Sequence, residues 1–127
     1  ISHRFDPESI RAVIRQVREG CEGEILVTTG AVTPPAYLMQ LFLRTNAKTR
    51  TATDLMDAME SFTPRLKRVC DDEGAEFLDT RRAWDDWMLR TGAGFDLVSR
   101  DAIHANSRGR QILGRIVVRF LQPKERD

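Results

Sequence analysis

Apolar residues recur at helical spacing over four stretches of the chain and gather into short runs between them. Ile10, Val13, Ile14 and Val17 share one face of a 3.6-residue period. Asp6-Pro7-Glu8 ahead of them is a start signal. Asp6 can cap, Pro7 suits the first helical position, and Glu8 meets the positive end of the helix dipole. Gly20 ends this helix. Glu24-Ile-Leu-Val-Thr-Thr29 is a short apolar, β-branched run. It predicts a strand buried on both faces, as in a parallel sheet. Gly30 to Pro35 reads as a loop leaving the strand's C-terminal end, where open α/β sheets bind ligands.

Residues 36–43 are apolar and predict a short helix, and residues 44–53 are polar and threonine-rich and predict a loop. From Thr53 onward Leu55, Met59, Phe62, Leu66 and Val69 form a second helical stripe. Pro64 should kink or split that helix, because proline lacks the N–H that the helical ladder needs. Glu73-Gly74 closes it, and Ala75-Glu-Phe-Leu-Asp79 predicts a second strand. Residues 82–90 form a helix with Trp84, Trp87 and Met88 on one side, ended by Thr91-Gly-Ala-Gly94. At that spacing the three residues read as core rather than as the wall of a substrate pocket. Asn106 or Ser107 caps a last helix, whose apolar face is Ile112, Leu113, Ile116, Val117 and Phe120.

Alternation of helices and strands predicts an α/β layered fold with parallel strands. Only two strands are convincing, and parallel strands need neighbours and cover. The sheet therefore reads as part of a larger one, completed by further polypeptide. The chain begins with Ile1 rather than Met, which agrees with residues lying upstream.

Composition narrows the classes. The 127 residues are 41% hydrophobic and 31% charged, as in a globular domain. A net charge of +1 gives no support for a nucleic-acid partner, and Arg108, Arg115 and Arg119, which share a helix face, read as a solvated face. No apolar run approaches the ~20 residues of a membrane span, and no signal segment opens the chain. Cys21 and Cys70 fit no metal spacing. They read as two ordinary thiols, with a disulfide left open. No compartment follows from any of this.

Candidate chemistry sits in Ser99-Arg-Asp-Ala-Ile-His-Ala-Asn-Ser-Arg-Gly109. A carboxylate that accepts from one imidazole nitrogen fixes the tautomer and frees the other nitrogen to take a proton from a serine. Asp101 and His104, three residues apart in a loop before a helix, have that potential. The plainer reading is that Asp101 caps a turn and His104 is an exposed polar residue. No second His or Cys stands nearby with ligand spacing, so a metal is not implied; His3 lies far away in sequence.

The block from Asp101 through His104 and Asn106 to Gly109, directly before an apolar helix, resembles the last block of the SGNH/GDSL hydrolase family. Asp79 at a strand end, the Trp-containing segment after it, and Ile25-Leu-Val-Thr28 leading to a Pro-containing loop are similar to that family's second half. The resemblance implies a flavodoxin-like, three-layer α/β/α fold, of which residues 1–127 would be the C-terminal portion of a single domain. It implies Asp101 and His104 as acid and base of a Ser-His-Asp triad, with no cofactor. It implies structural roles for Asn106, near the helix cap, and Gly109, where the helix packs closely. Tyr37, Leu38, Leu41 and Phe42 would then lie near the active face, lining an acyl or sugar site or simply covering the sheet.

The departures are as informative. No serine follows Gly-Asp in this sequence, no glycine can be assigned as the oxyanion glycine, and Thr45-Asn46 does not match the Gly-x-Asn-Asp block. Neither Ser99 nor Ser107 has the sharp, Gly-flanked turn of a nucleophile. The resemblance therefore implies a nucleophile on other polypeptide, the N-terminal portion of the same enzyme, acting on a small-molecule or carbohydrate ester such as an acetyl ester. The alternative from another class is a non-catalytic α/β protein-interaction module, in which Asp101 and His104 only shape a turn.

Overall fold

The computed structural model describes residues 6–30, 52–101 and 104–123, with backbone alone for 52–60. The chain is mixed α/β, mostly helical, with a small parallel sheet of two strands. In order the elements are α1 (Pro7–Gly20), β1 (Leu26–Thr28), α2 (Ala52–Glu73), β2 (Glu76–Leu78), α3 (Thr80–Thr91), α4 (Phe95–Val98) and α5 (Ser107–Leu121). They divide into two compact units, one containing residues 6–28 and 52–78, the other 29–30, 79–101 and 104–123.

The first unit is built on α1, α2 and the sheet. Asp6 caps α1 as its sequence predicts, its carboxylate accepting from the Glu8 N–H at 3.1 Å. Ile14 is buried with Leu66, Val69, Cys70 and Ala75, and Ile10, Ile25, Val27, Phe62 and Phe77 pack around them. Gly74 takes the left-handed conformation (φ 63°) that lets the chain leave α2 and enter β2. Ala75 N–H closes that turn on the Cys70 carbonyl at 2.8 Å. β1 and β2 then pair in parallel, with Val27 opposite Phe77.

Three expectations change here. β1 is shorter than the apolar run and is not buried on both faces: Leu26 and Val27 are half-buried and Thr28 is exposed. β2 is its one strand partner among the described residues. β2 likewise spans three residues rather than five, because Asp79 leaves the strand to cap the next helix. Pro64 does not split α2, which runs unbroken from Ala52 to Glu73. A proline removes one rung of the ladder. Phe62 before it and Leu66, Val69 and Cys70 after it all pack in the first unit's core, so tertiary contacts hold the helix on both sides of the lost bond. The predicted helix at 36–43, with Tyr37, Leu38, Leu41 and Phe42, and the loop that follows it to residue 51 lie outside the described residues, as do the side chains of Leu55 and Met59.

The second unit packs α3, α4 and α5 around Trp84, Val98 and Ile112, with Trp87, Met88, Leu113 and Ile116 at the edge of that cluster. Trp84 is 1% exposed, so the core reading holds for it, while Trp87 and Met88 are half-buried and pack against that core. Asp79 caps α3 by accepting from Arg82 N–H at 3.1 Å, which starts the helix two residues earlier than the sequence pattern indicates. Gly92, at φ 63°, ends it. The four-residue α4 went unpredicted; it carries Val98 into the core. Val117 and Phe120 do not join the apolar face of α5: Val117 is half-buried and Phe120 exposed. No helix among the described residues is long and apolar enough to cross a membrane.

Candidate active site

The segment between α4 and α5 is a closed turn. Asn106 N–H donates to the Val98 carbonyl at 3.0 Å and Arg100 N–H to the His104 carbonyl at 2.8 Å, with an antiparallel bridge between Ser99 and Ala105. These bonds bring residues 98–100 alongside 104–106, so Asp101 and His104 meet. Residues 102–103 lie outside the described set.

Asp101 grips His104 in two ways. Its Oδ1 accepts the backbone N–H of His104 at 2.8 Å. Its carboxylate also faces the ring Nδ1, at 2.9 Å from Oδ1 and 2.8 Å from Oδ2. An ionised carboxylate only accepts, so the proton of the neutral imidazole belongs on Nδ1. Nε2 is then the basic nitrogen, and no described residue hydrogen-bonds it. The Arg100 guanidinium lies 3.6 Å from Asp101 Oδ2 and adds positive charge beside the carboxylate. Arg100 was not singled out in the sequence; its adjacency to Asp101 was the only signal. The pair sits at the surface, the Asp101 side chain 45% exposed and that of His104 55%.

The frame beneath the pair is tied by side-chain hydrogen bonds and close packing. Of the two residues that could cap α5, Asn106 does so. Its Oδ1 accepts from Gly109 N–H and its Nδ2 donates to the Leu97 carbonyl, both at 3.0 Å. One side chain therefore ties α4, the turn and α5 together. Gly109 is where α5 packs most closely. A Cβ there would collide with the Val98 carbonyl oxygen and lie 2.9 Å from Ala105 Cβ and 3.1 Å from the Trp84 ring.

No described serine bonds His104. Ser9 Oγ donates to the Asp6 carbonyl, and Ser107 is exposed and accepts from Arg110. Ser99 Oγ is buried and has no hydrogen-bond partner. A hydroxyl in that state is shielded from any substrate, so the turn next to the imidazole contains no nucleophile. Of the predicted pair, then, Asp101 and His104 come together, and neither serine of the same stretch completes them.

A second polar clasp forms at the residues that follow the strands. Thr29 Oγ1 donates to Asp79 Oδ1 at 3.1 Å and accepts from Arg81 N–H at 3.1 Å. Asp79 is thus spent on capping α3 and holding Thr29. No group of three or more His, Cys, Asp or Glu side chains among the described residues could hold a metal ion. Cys21 and Cys70 are both free thiols, Cys21 exposed and Cys70 buried. Burial pushes the Cys70 thiol pKa up, as expected of a structural rather than a reactive cysteine.

Comparison of the chain with protein-family models, with curated proteins and with solved structures finds no match.

Proposed function

We propose that this chain is the C-terminal part of a serine esterase of the SGNH/GDSL type, with Asp101 and His104 as the acid and base of its triad. The observation that carries the reading is the Asp101 carboxylate on His104 Nδ1 at 2.8 Å, with Nε2 left unbonded by the described residues. That arrangement sets the tautomer a general base requires. Asn106 and Gly109, in the roles the family resemblance implies for them, add support.

In this reading a serine on polypeptide outside these 127 residues approaches His104 Nε2. The imidazole takes the hydroxyl proton as Oγ attacks the acyl carbon of an ester. It returns that proton to the leaving alcohol, and water releases the acyl group by the same route in reverse roles. Asp101 holds the ring and stabilises the imidazolium. Oxyanion donors come with the serine. A triad carboxylate is normally shielded from water, and Asp101 is about half exposed. The serine-bearing polypeptide must therefore also cover this turn.

The test is fluorophosphonate labelling of the native purified protein, followed by intact mass of every polypeptide present. We expect one labelled serine, on a segment outside this sequence. Labelling should fall by ~10³-fold or more in His104→Ala, with the fold unchanged by circular dichroism. A folded, stoichiometric sample that takes no label overturns the esterase. The interaction-module alternative keeps one observation in its favour: Asp101 also accepts the His104 backbone N–H, which is a turn-forming role that needs no chemistry.

A further inference from the structure

Helix α5 has two faces, and the second-unit core uses only one. Ile112, Leu113 and Ile116 pack toward Trp84. On the opposite side Gly114, Val118 and Leu121 follow one another at i, i+4 and i+7, the spacing of one helical ridge. Val118 is 57% exposed and Leu121 64%. Gly114 has nothing within 4 Å of where its Cβ would stand. The strip is therefore apolar, open, and indented at one end.

Its borders are all of one charge. Arg110 flanks the strip on one side, and Arg115, with Arg108 and Arg119, flanks it on the other. The helix from Ser107 to Leu121 contains no Asp or Glu. Among the described residues no ion pair engages any of these four arginines. Elsewhere among the described residues, Arg11 and Arg15 hold Glu73, and Lys67 holds Asp71. The molecule's net charge is only +1, so this helix face is a local excess.

We infer that the outer face of α5 is a docking surface for an acidic amphipathic helix from another polypeptide. The partner's apolar seam would lie along Val118 and Leu121, its backbone would approach closest over Gly114, and its flanking carboxylates would meet Arg110 on one side and Arg115 and Arg119 on the other. Guanidinium groups suit this, since each can take a carboxylate through two parallel hydrogen bonds. A gap left by glycine favours close approach of a helix backbone. Two exposed aliphatic side chains are too few for a bilayer, where an interfacial helix buries a whole apolar face; here that face is committed to the core. The inference uses none of the residues of the proposed triad and stands or falls separately from it.

The experiment is selection from a displayed library of 16-residue helical peptides against the purified protein. Seam positions vary between Leu and Ser, and flank positions among Glu, Gln and Lys. Leu seams with Glu flanks should be enriched. The best peptide should bind ~10-fold more weakly at 0.3 M than at 0.05 M salt, as flanking ion pairs are screened. Val118→Asp with Leu121→Asp should lower its affinity at least 10-fold. Arg115→Glu with Arg119→Glu should invert the preference to Lys flanks, a result that loss of folding does not imitate. Circular dichroism of each variant checks the fold. Selection without a flank preference, or a preference that the charge reversal leaves unchanged, overturns the inference. So does tighter binding to phosphatidylserine vesicles or to a mixed-sequence DNA duplex than to the best peptide.

Discussion

Gly109 is the residue whose side-chain size the fold can least change. Trp84, Val98 and Ala105 close over it from three directions, and two of those contacts are backbone or ring atoms that do not swing aside. Gly109→Ala must push α5 away from α4, and should cost about 2 kcal/mol or more, read as a drop in the urea midpoint. Helix propensity alone would favour alanine at that position by up to about 1 kcal/mol, so the sign of the change separates the two effects. Asp101 and His104 lie on the same frame. A shift of α5 should therefore loosen the 2.8 Å carboxylate–imidazole contact as well as the core, whereas the Ser99 hydroxyl, already without a partner, has no bond to lose.

Between elements, α1 and the end of α2 are joined by charge as well as by Ile14. Arg15 and Arg11 both hydrogen-bond Glu73, at 2.9 and 2.8 Å, and Arg11 also reaches Glu8 and Asp72. The Arg15 and Arg11 guanidinium groups hold the Glu73 carboxyl at about 2, well below its ordinary value of 4.5. A carboxyl whose pKa is depressed by folding contributes stability that is present above its unfolded value and lost as pH falls toward the folded one. The contribution of this cluster should therefore be full above about pH 4.5 and disappear between there and about pH 2. Thermal melts across that range should show the loss in the wild-type chain. In Glu73→Gln the same range should be flatter, with lower stability at pH 7. A wild-type curve that parallels the variant at every pH would mean the cluster contributes nothing to folding.

For the molecule as a whole, the proposed chemistry makes a prediction about what the 127 residues do without other polypeptide. His104 is accessible and oriented, and no described serine hydrogen-bonds it. The chain alone should hydrolyse p-nitrophenyl acetate no faster than the same concentration of free imidazole, as measured by initial rates. A rate far above that and dependent on His104 would place a complete site within these residues, and would contradict the proposal of a serine supplied from outside.

Local signals were enough to read much of this molecule. Asp6-Pro7-Glu8, the helical spacing of Ile10 and Ile14 (Val13 and Val17 of the same stripe stay exposed), the two short apolar runs and the pairing of Asp101 with His104 depend on residues a few positions apart, whose interactions are set by helical or turn geometry wherever they occur. What was not legible depends on what lies across from a residue in space. Pro64 stays within one helix because Phe62, Leu66 and Val69 pack in the core. β1 is half-buried, with β2 as its one strand neighbour among the described residues. Ser99 is an orphaned hydroxyl rather than a nucleophile because α4, absent from any periodicity, brings Val98 into the core beside it. Gly109 and Gly114 are identical in the sequence and opposite in meaning, one pressed against a carbonyl and the other open to solvent. Sequence pattern records which face of an element is apolar. Which apolar face is buried, and which is left for a partner, is set by the volume and contacts of the other elements.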